Sequence, residues 1–151
     1  MKVTAYLRKD HETIRSLFAK FKNAAGRTQN GRDVIFEDIQ REIGLHFQME
    51  AEIFYPALEN TASVRAQELA GKALDDHHEA DRMLERLAEL STSDKEFDAK
   101  IAELMKKITS HIDAEEEEIF EEARKNLPEY RLEELGLEME ARRRIMTQRA
   151  A

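Results

Sequence analysis

The chain has 151 residues and a formal net charge of −8, with 24 basic and 32 acidic side chains. This length corresponds to one domain that can bury a core without disulfides. The absence of cysteine excludes a thiol nucleophile, a cysteine-ligated zinc or iron–sulfur site and a disulfide scaffold. The acidic balance argues against nucleic acid or an anionic membrane as the main partner. The sequence shows neither a signal-peptide pattern nor a membrane-spanning run, so we expect a cytoplasmic protein without a membrane partner.

Helical periodicity runs through four long segments and a shorter fifth one. They cover residues 4–23, 33–58, 63–90, 95–126 and 129–148, and breakers separate them at 24–31, 60–63, 91–94 and 126–128. The first breaker contains Gly26, Asn30 and Gly31. Four long amphipathic segments with short connections predict an all-α fold: an antiparallel up-down-up-down four-helix bundle with a short extra C-terminal helix.

The last segment is predicted to lie outside the bundle. We expect a bundle domain over residues 1–127 and a helical extension over residues 128–151, packed on the bundle or at an oligomer interface. Arg142, Arg143 and Arg144 suit the negative end of a helix dipole near the end of this segment. A polyanion-binding tail is the less favoured interpretation, because the chain as a whole is acidic.

The apolar seam of each long segment is interrupted near its middle by histidine, or by histidine and glutamate. These residues are, in chain order, His11, His46, Glu50, His77, His111 and Glu115. Glu50 and Glu115 each follow a histidine by one helical turn and therefore share its face. Each histidine lies about 12 to 16 residues from the matching end of its segment, or roughly 18–24 Å. An antiparallel bundle therefore places all four histidines in one central layer.

A metal site is the favoured explanation of this layer. Glutamate is abundant in the chain, so the His-x-x-x-Glu spacing alone is weak evidence. Placement in the core is stronger evidence, because buried imidazoles and carboxylates need partners and a metal ion supplies them. Mixed imidazole and carboxylate ligands suit iron, manganese or zinc. Six protein ligands exceed the need of one catalytic zinc and fit two metal ions bridged by Glu50 and Glu115.

The order of these motifs carries a family resemblance. They are Asp10-His11, His46-x-x-x-Glu50, His77 and His111-x-x-x-Glu115, with the apolar flanks Ile14, Leu17-Phe18, Ile53-Phe54-Tyr55-Pro56 and Ile119-Phe120. This set resembles the bacterial type of the hemerythrin-like, or HHE cation-binding, domain family over residues 1 to about 127. The resemblance implies two iron ions, bridged by carboxylate and by an oxo or hydroxo group, that meet dioxygen, peroxide or nitric oxide. Manganese and zinc are the alternative metals.

The resemblance is incomplete at one position. Oxygen-carrying hemerythrins have a second histidine one turn before the equivalent of His77, where this chain has Ala73. Either one more metal position is open or water-filled, or Asp81 substitutes one turn after His77. Stable reversible oxygen carriage is therefore less favoured than iron or redox sensing, peroxide turnover or nitric oxide binding. Family members that repair iron–sulfur clusters carry an additional cysteine-bearing segment, and this chain has none.

Two of the site assignments have neighbouring competitors. His77 shares its helix face with Leu74 and Leu84, whereas His78 shares its face with charged residues, so His77 is the predicted ligand. Glu116 is a fallback ligand beside the predicted glutamate of the fourth segment.

Other metal motifs are absent from the sequence. Neither the Glu-x-x-His pattern of ferritin-like proteins nor the zinc motif His-Glu-x-x-His occurs. Tyr55 and Tyr6 are predicted core or rim residues, either of which could hydrogen-bond a bound oxygen species.

Two classes of function remain. The first is a non-haem di-iron-binding protein that binds or reacts with dioxygen, peroxide or nitric oxide, in sensing, iron handling or oxidative-stress response. Any enzymatic activity would be weak peroxide or oxygen reduction, and no catalytic residue beyond the metal ligands is assigned. Its partner would be a small diatomic or peroxide ligand, and the protein a monomer or homodimer. The alternative is a metal-independent helical interaction module.

Overall fold

The computed structural model describes residues 1–24 and 29–150, and within these ranges it contains helices and no strand. The α-helices are α1 (Val3–Asn23), α2 (Gln29–Met49), α3 (Tyr55–Glu59), α4 (Val64–Ala88), α5 (Lys95–Ala114), α6 (Phe120–Asn126) and α7 (Glu129–Ala150). Two π-helical turns, Glu50–Phe54 and Glu115–Ile119, join α2 to α3 and α5 to α6. The chain thus forms four long helical rods, which are α1, α2 with α3, α4, and α5 with α6. These rods and α7 confirm the predicted helical bundle with an additional C-terminal helix. None of the helices described is both long enough and apolar enough to cross a membrane.

The start of α2 differs from its predicted position. The helix begins at Gln29, ahead of the expected start near residue 33, so that Gly31 is helical, while Gly26 lies outside the described residues. The first N–H groups of a helix have no intrahelical partner, so a residue of low propensity costs little there. Arg32 forms an ion pair with Asp98 of α5, which ties this first turn to the bundle.

The core consists of two apolar clusters with a polar layer between them. The first cluster includes Leu7, Phe54, Leu58, Ala70, Phe120, Leu135 and Met139. The second includes Ile14, Phe18, Ile39, Leu84, Phe97, Ile101 and Ile108. Each large apolar side chain contributes about 1.5–3 kcal/mol when fully buried, so both clusters hold the rods firmly. Along α1 and α4 the membership changes from the first to the second cluster at His11 and His77, which places the histidine layer between them.

The two π turns begin at the two seam glutamates. The backbone N–H of Tyr55 donates to the carbonyl of Glu50, and that of Phe120 donates to the carbonyl of Glu115, five residues back instead of four. This wider turn brings residue i+5 onto the face of residue i, and such turns are frequent at functional sites. Tyr55 and Phe120 are consequently buried beside the polar layer.

Helix α7 lies against α1 and the rod of α2. Its apolar face buries Leu132, Leu135 and Met139. Gly136 permits close approach to the start of the chain, because a Cβ atom at this position would lie 1.9 Å from the carbonyl oxygen of Met1. The predicted division of the chain at residue 127 stays a prediction, but α7 and the bundle share one apolar cluster.

Candidate metal centre

The structure brings the six predicted metal-site residues together in the polar layer. His11 Nε2 and His46 Nε2 are 3.2 Å apart, and His77 Nε2 and His111 Nε2 are 3.1 Å apart. The residues form two groups with candidate ligand atoms within 4.8 Å of one another: His11, His46, Glu50 and Glu115, and Glu50, His77 and His111. All are buried except His111, which is half-buried. Their assignment as metal ligands stays a prediction, and the structure supplies the distances between their candidate ligand atoms.

Each glutamate faces one histidine of each pair. Glu50 Oε1 lies 3.0 Å from His46 Nε2 and 3.3 Å from His77 Nε2. Glu115 Oε1 lies 3.2 Å from Nε2 of the α1 histidine, and its Oε2 lies 3.7 Å from Nε2 of the α5 histidine. Glu50 therefore belongs to both groups of candidate ligands, whereas Glu115 belongs to the first group only.

The carboxylate oxygens have the unfilled bonding capacity that a metal ion would use. Both oxygens of Glu50 and Oε1 of Glu115 are buried and form no well-aligned hydrogen bond among the described residues, although imidazole nitrogens lie within 3.0–3.3 Å of the two Oε1 atoms. A buried acceptor without a partner costs about 1–3 kcal/mol, and more when it is charged. Imidazole and carboxylate together suit iron, manganese or zinc. The donor set and its unpaired oxygens therefore fit a metal centre.

The pKa values of the site residues are shifted by burial and by the charges of their neighbours. Burial lowers the pKa of His11 to about 4, and the nearby His46 acts in the same direction. Burial opposes the charged form of His46 as well, but Glu50 and Asp10 raise its pKa to about 9. Burial opposes ionisation of Glu50 too, yet His46 holds the pKa of that carboxyl well below its usual range. Burial and the charge of Glu50 together raise the pKa of Glu115.

Three of the four histidines have a carboxylate on their outer nitrogen. The Nδ1-to-oxygen pairs are His11 with Glu116 (2.7 Å), His46 with Asp10 (3.1 Å) and His111 with Asp76 (3.4 Å). A carboxylate accepts, so Nδ1–H donates and Nε2 is left for a metal. Glu116, the predicted fallback ligand, thus contacts the outer side of His11. The role of Asp76 was not predicted, because its contact depends on the packing of α4 against α5.

His77 is held differently. Its Nδ1 is buried without a hydrogen-bond partner in the described part of the chain, and its ring stacks on Phe47 with centroids 3.8 Å apart. His78 is exposed, which supports the choice of His77. Asp81 is also exposed and belongs to neither group of candidate ligands, which favours an open position over its substitution for the absent second histidine.

Tyr55 joins the site through the first π turn. Its hydroxyl donates a short hydrogen bond to Oε2 of Glu115 and lies 3.4 Å from His77 Nε2. α-Helical periodicity did not predict this orientation. The available signal was Pro56, which lacks an N–H and therefore interrupts the α-helical ladder at this point. Tyr6, the other predicted tyrosine, instead accepts a hydrogen bond from Arg143, 2.9 Å away.

A small cavity opens beside the site at Ala73. Its volume is about 40 Å³, and it reaches His111 and Glu115. A separate groove of about 310 Å³ passes over Phe47 and His77. The open or water-filled metal position, one of the two alternatives for the missing histidine, stays a prediction, and the structure has a cavity at Ala73.

The fold and this cluster define a helical-bundle protein with a buried histidine–carboxylate site. The family model for the hemerythrin HHE cation binding domain matches residues 2–123. The chain therefore belongs to the hemerythrin HHE cation-binding domain family, as its motifs predicted.

Two similar proteins extend this comparison. A hemerythrin HHE cation binding domain-containing protein from Mycobacterium kansasii has the same fold, with a TM-score of 0.82 and 24% identity over 94% of this chain and 85% of that chain. A DNA nickase from Nostoc sp. (strain PCC 7120) is 26% identical over 99% of this chain. The match covers 41% of the nickase, so the chain spans less than half the length of that relative.

Proposed function

We propose that the protein binds two iron ions in the histidine–glutamate layer and uses them to bind or react with dioxygen, peroxide or nitric oxide. The observation that carries this proposal is the pairing of the histidines around Glu50. Its Oε1 faces one histidine of each pair, so two cations could share it. Manganese and zinc fit the same donor set, and iron is preferred on the family resemblance.

Each pair of rods would hold one metal ion. His11 and His46 would be terminal ligands of the first ion, and His77 and His111 of the second, with the two glutamates between them. Bound iron would supply Lewis acidity and electrons for redox chemistry with the small molecule. The chain itself would exclude bulk water and orient the imidazoles, since the ligand atoms are almost entirely buried.

Sensing or turnover is a better proposal than oxygen carriage. The position that holds an additional histidine in oxygen carriers is Ala73 here, and no described acid takes its place at the cluster. One metal would therefore keep fewer protein ligands and more exchangeable positions. Peroxide breakdown is one form of this proposal, and nitric oxide or redox sensing is another.

The name of the Nostoc relative does not change the proposal. More than half of that protein lies outside the match. Nicking of DNA is therefore not carried over to this chain.

The test is the metal content and visible absorption of protein produced with iron, recorded with and without azide. We expect about two irons per chain and an azide-sensitive absorption band. His46→Ala and His111→Ala should each lose iron, because each removes an Nε2 from the cluster. His78→Ala is the matched control, since its exposed imidazole should leave the iron content unchanged.

The alternative function predicts different results. A metal-independent interaction module would keep its melting temperature after chelation, whereas a metal centre that links four rods should lose stability. Full iron content in both His→Ala variants would contradict the ligand assignment. Absence of bound metal after anaerobic loading with Fe(II) would contradict the proposed function as a whole.

A further inference from the structure

Among the described residues, a small cavity and a larger groove are lined by residues of the candidate metal centre, and their other lining residues differ. The smaller cavity is lined by Ala73, His111 and Glu115 at its base and by the exposed Lys72 at its rim. The larger groove is lined by Phe47, His77 and other residues, but by neither glutamate of the cluster. The smaller cavity is therefore lined by two candidate ligand residues, and the larger groove by one.

The aromatic ring of Phe47 lines the larger groove beside His77. It lies flat on the His77 ring, with 9° between the two planes. A molecule in this groove would contact Phe47 and His77, which both line it. His11, His46 and His77 are 0%, 2% and 3% exposed, whereas the side chain of His111, which lines the smaller cavity, is 8% exposed.

The cavity at Ala73 has the size of a very small ligand. One ordered water needs about 10–15 Å³ on this measure of volume. The observed 40 Å³ therefore accommodates two or three heavy atoms, as in dioxygen, nitric oxide, hydrogen peroxide or azide. The long side chain of a second histidine at position 73 would project into this space.

Charge at the rim does not select the ligand strongly. Asp76 and Glu118 are acidic, but Lys72 lies at the same rim, and Arg65 forms an ion pair of 3.0 Å with Glu118. Two positive and two negative side chains thus offset one another. Selection would depend on size and on the metal at the base of the cavity.

We propose that the small molecule enters through the cavity at Ala73 and binds on the His77–His111 side of the centre. This inference rests on the proposed function and specifies which half of the site stays open. The replacement of a histidine by Ala73 is then a functional feature: it removes a ligand and creates the path to the vacant position.

The experiment compares Ala73→Leu with Ala51→Leu in iron-loaded protein. Leucine at position 73 adds three carbon atoms at the base of the cavity. Ala51 is exposed and lines the larger groove, so the second variant fills the competing path by the same change. Iron content, melting temperature, azide affinity and the rate of azide binding are measured for both variants and the wild type.

We expect azide affinity to fall about tenfold or more in Ala73→Leu, at unchanged iron content, and to stay within about twofold in Ala51→Leu. Wild-type affinity and binding rate in Ala73→Leu would overturn the inference, and so would a loss confined to Ala51→Leu. If Ala73→Leu does not load iron, Ala73→Val, which adds two carbon atoms, provides the same comparison. If the wild-type protein binds iron and the Ala73 variants bind azide as the wild type does, only the entry path is refuted. A wild-type protein without metal would refute the proposed function.

Discussion

The two halves of the metal centre are built from the same residue types but are supported in different ways. In the α1–α2 half, the outer nitrogens of His11 and His46 lie 2.7 Å and 3.1 Å from carboxylate oxygens. One of these carboxylates, Asp10, is held in turn by Arg143 of α7, whose Nη2 lies 3.0 Å away. In this half, carboxylates therefore orient the histidines, and an arginine in turn orients one of those carboxylates.

The α4–α5 half has weaker support. His77 has no hydrogen bond on its outer nitrogen among the described residues, and His111 lies 3.4 Å from the partly exposed Asp76. The cavity at Ala73 opens on this side. Outer hydrogen bonds orient a ligating imidazole and raise its basicity. If the proposed centre forms, we expect the α1–α2 half to hold its metal ion more tightly than the α4–α5 half.

The largest expected effect comes from removing the outer carboxylates one at a time. Asp10→Asn should weaken the first metal site about 10- to 100-fold, because the amide is uncharged and its single oxygen cannot accept from both His46 and Arg143. Asp76→Asn should cost only about threefold, since its contact with His111 is long and partly exposed. Competition between the protein and a chelator for Fe(II) measures both affinities. Equal losses in the two variants would contradict the difference between the halves.

The pH dependence of metal uptake is expected to come mainly from the α1–α2 half. The pKa of His46 is raised to about 9, so at pH 7 a metal ion must displace a proton from this imidazole. Affinity should rise about tenfold per pH unit up to pH 9 for each proton displaced. The raised pKa of Glu115 can only add to this slope. His11, with a pKa of about 4, and His111, with a lowered pKa, are already neutral and add nothing.

Metal-free protein should show the opposite trend in stability. The pKa of His46 is higher in the folded state, so its contribution is fully present below pH 6.5 and is lost as pH rises through about 9. Two measurements between pH 6.5 and 8.5 test these opposite trends. The affinity for Co(II) should rise with pH, and the melting temperature of chelated protein should fall. An affinity independent of pH would show that His46 is neutral before metal binds.

The smallest expected effect concerns the hydrogen bonds between Arg143 of α7 and the bundle, which we call the α7 clamp. Arg143 donates to Tyr6, Asp10 and Glu42. Its guanidinium is partly exposed, so Arg143→Met should lower the free energy of unfolding by only about 1–2 kcal/mol. The metal affinity of the α1–α2 half should fall with it, because Asp10 loses one of its two restraints.

Arg142→Met is the matched control for this clamp. Arg142 pairs with Glu52, which does not touch the site, and both side chains are partly exposed. Its removal should cost about 0–1 kcal/mol and leave metal affinity unchanged. Urea unfolding of chelated protein gives both stabilities. A loss of metal affinity in both arginine variants would mean that α7 acts through general stability and not through Asp10.

Much of the centre could be predicted because it follows from rules local to each helix. A rise of 1.5 Å per residue and a seam at three- and four-residue spacing place a histidine at the same depth in each rod. The same rules pair each glutamate with the histidine one turn before it. The choice of His77 over His78 also follows from the apolar neighbours on one helix face.

The support around the centre could not be predicted in this way. Glu116 and His11 are 105 residues apart in sequence, and Arg143 and Asp10 are 133 residues apart. No periodicity within one helix specifies which side chain of another helix will meet an outer nitrogen. The orientation of Tyr55 also escaped prediction, because a π turn adds one residue to the repeat.

The sequence thus contained the family, the bundle and the six residues of the central layer, because amphipathic periodicity is a property of each helix alone. The inequality of the two halves, the hydrogen bond from Tyr55 to Glu115 and the cavity at Ala73 arose when the rods packed together. They depend on distances between side chains of different rods, which packing sets to within an ångström and which spacing along a chain does not encode.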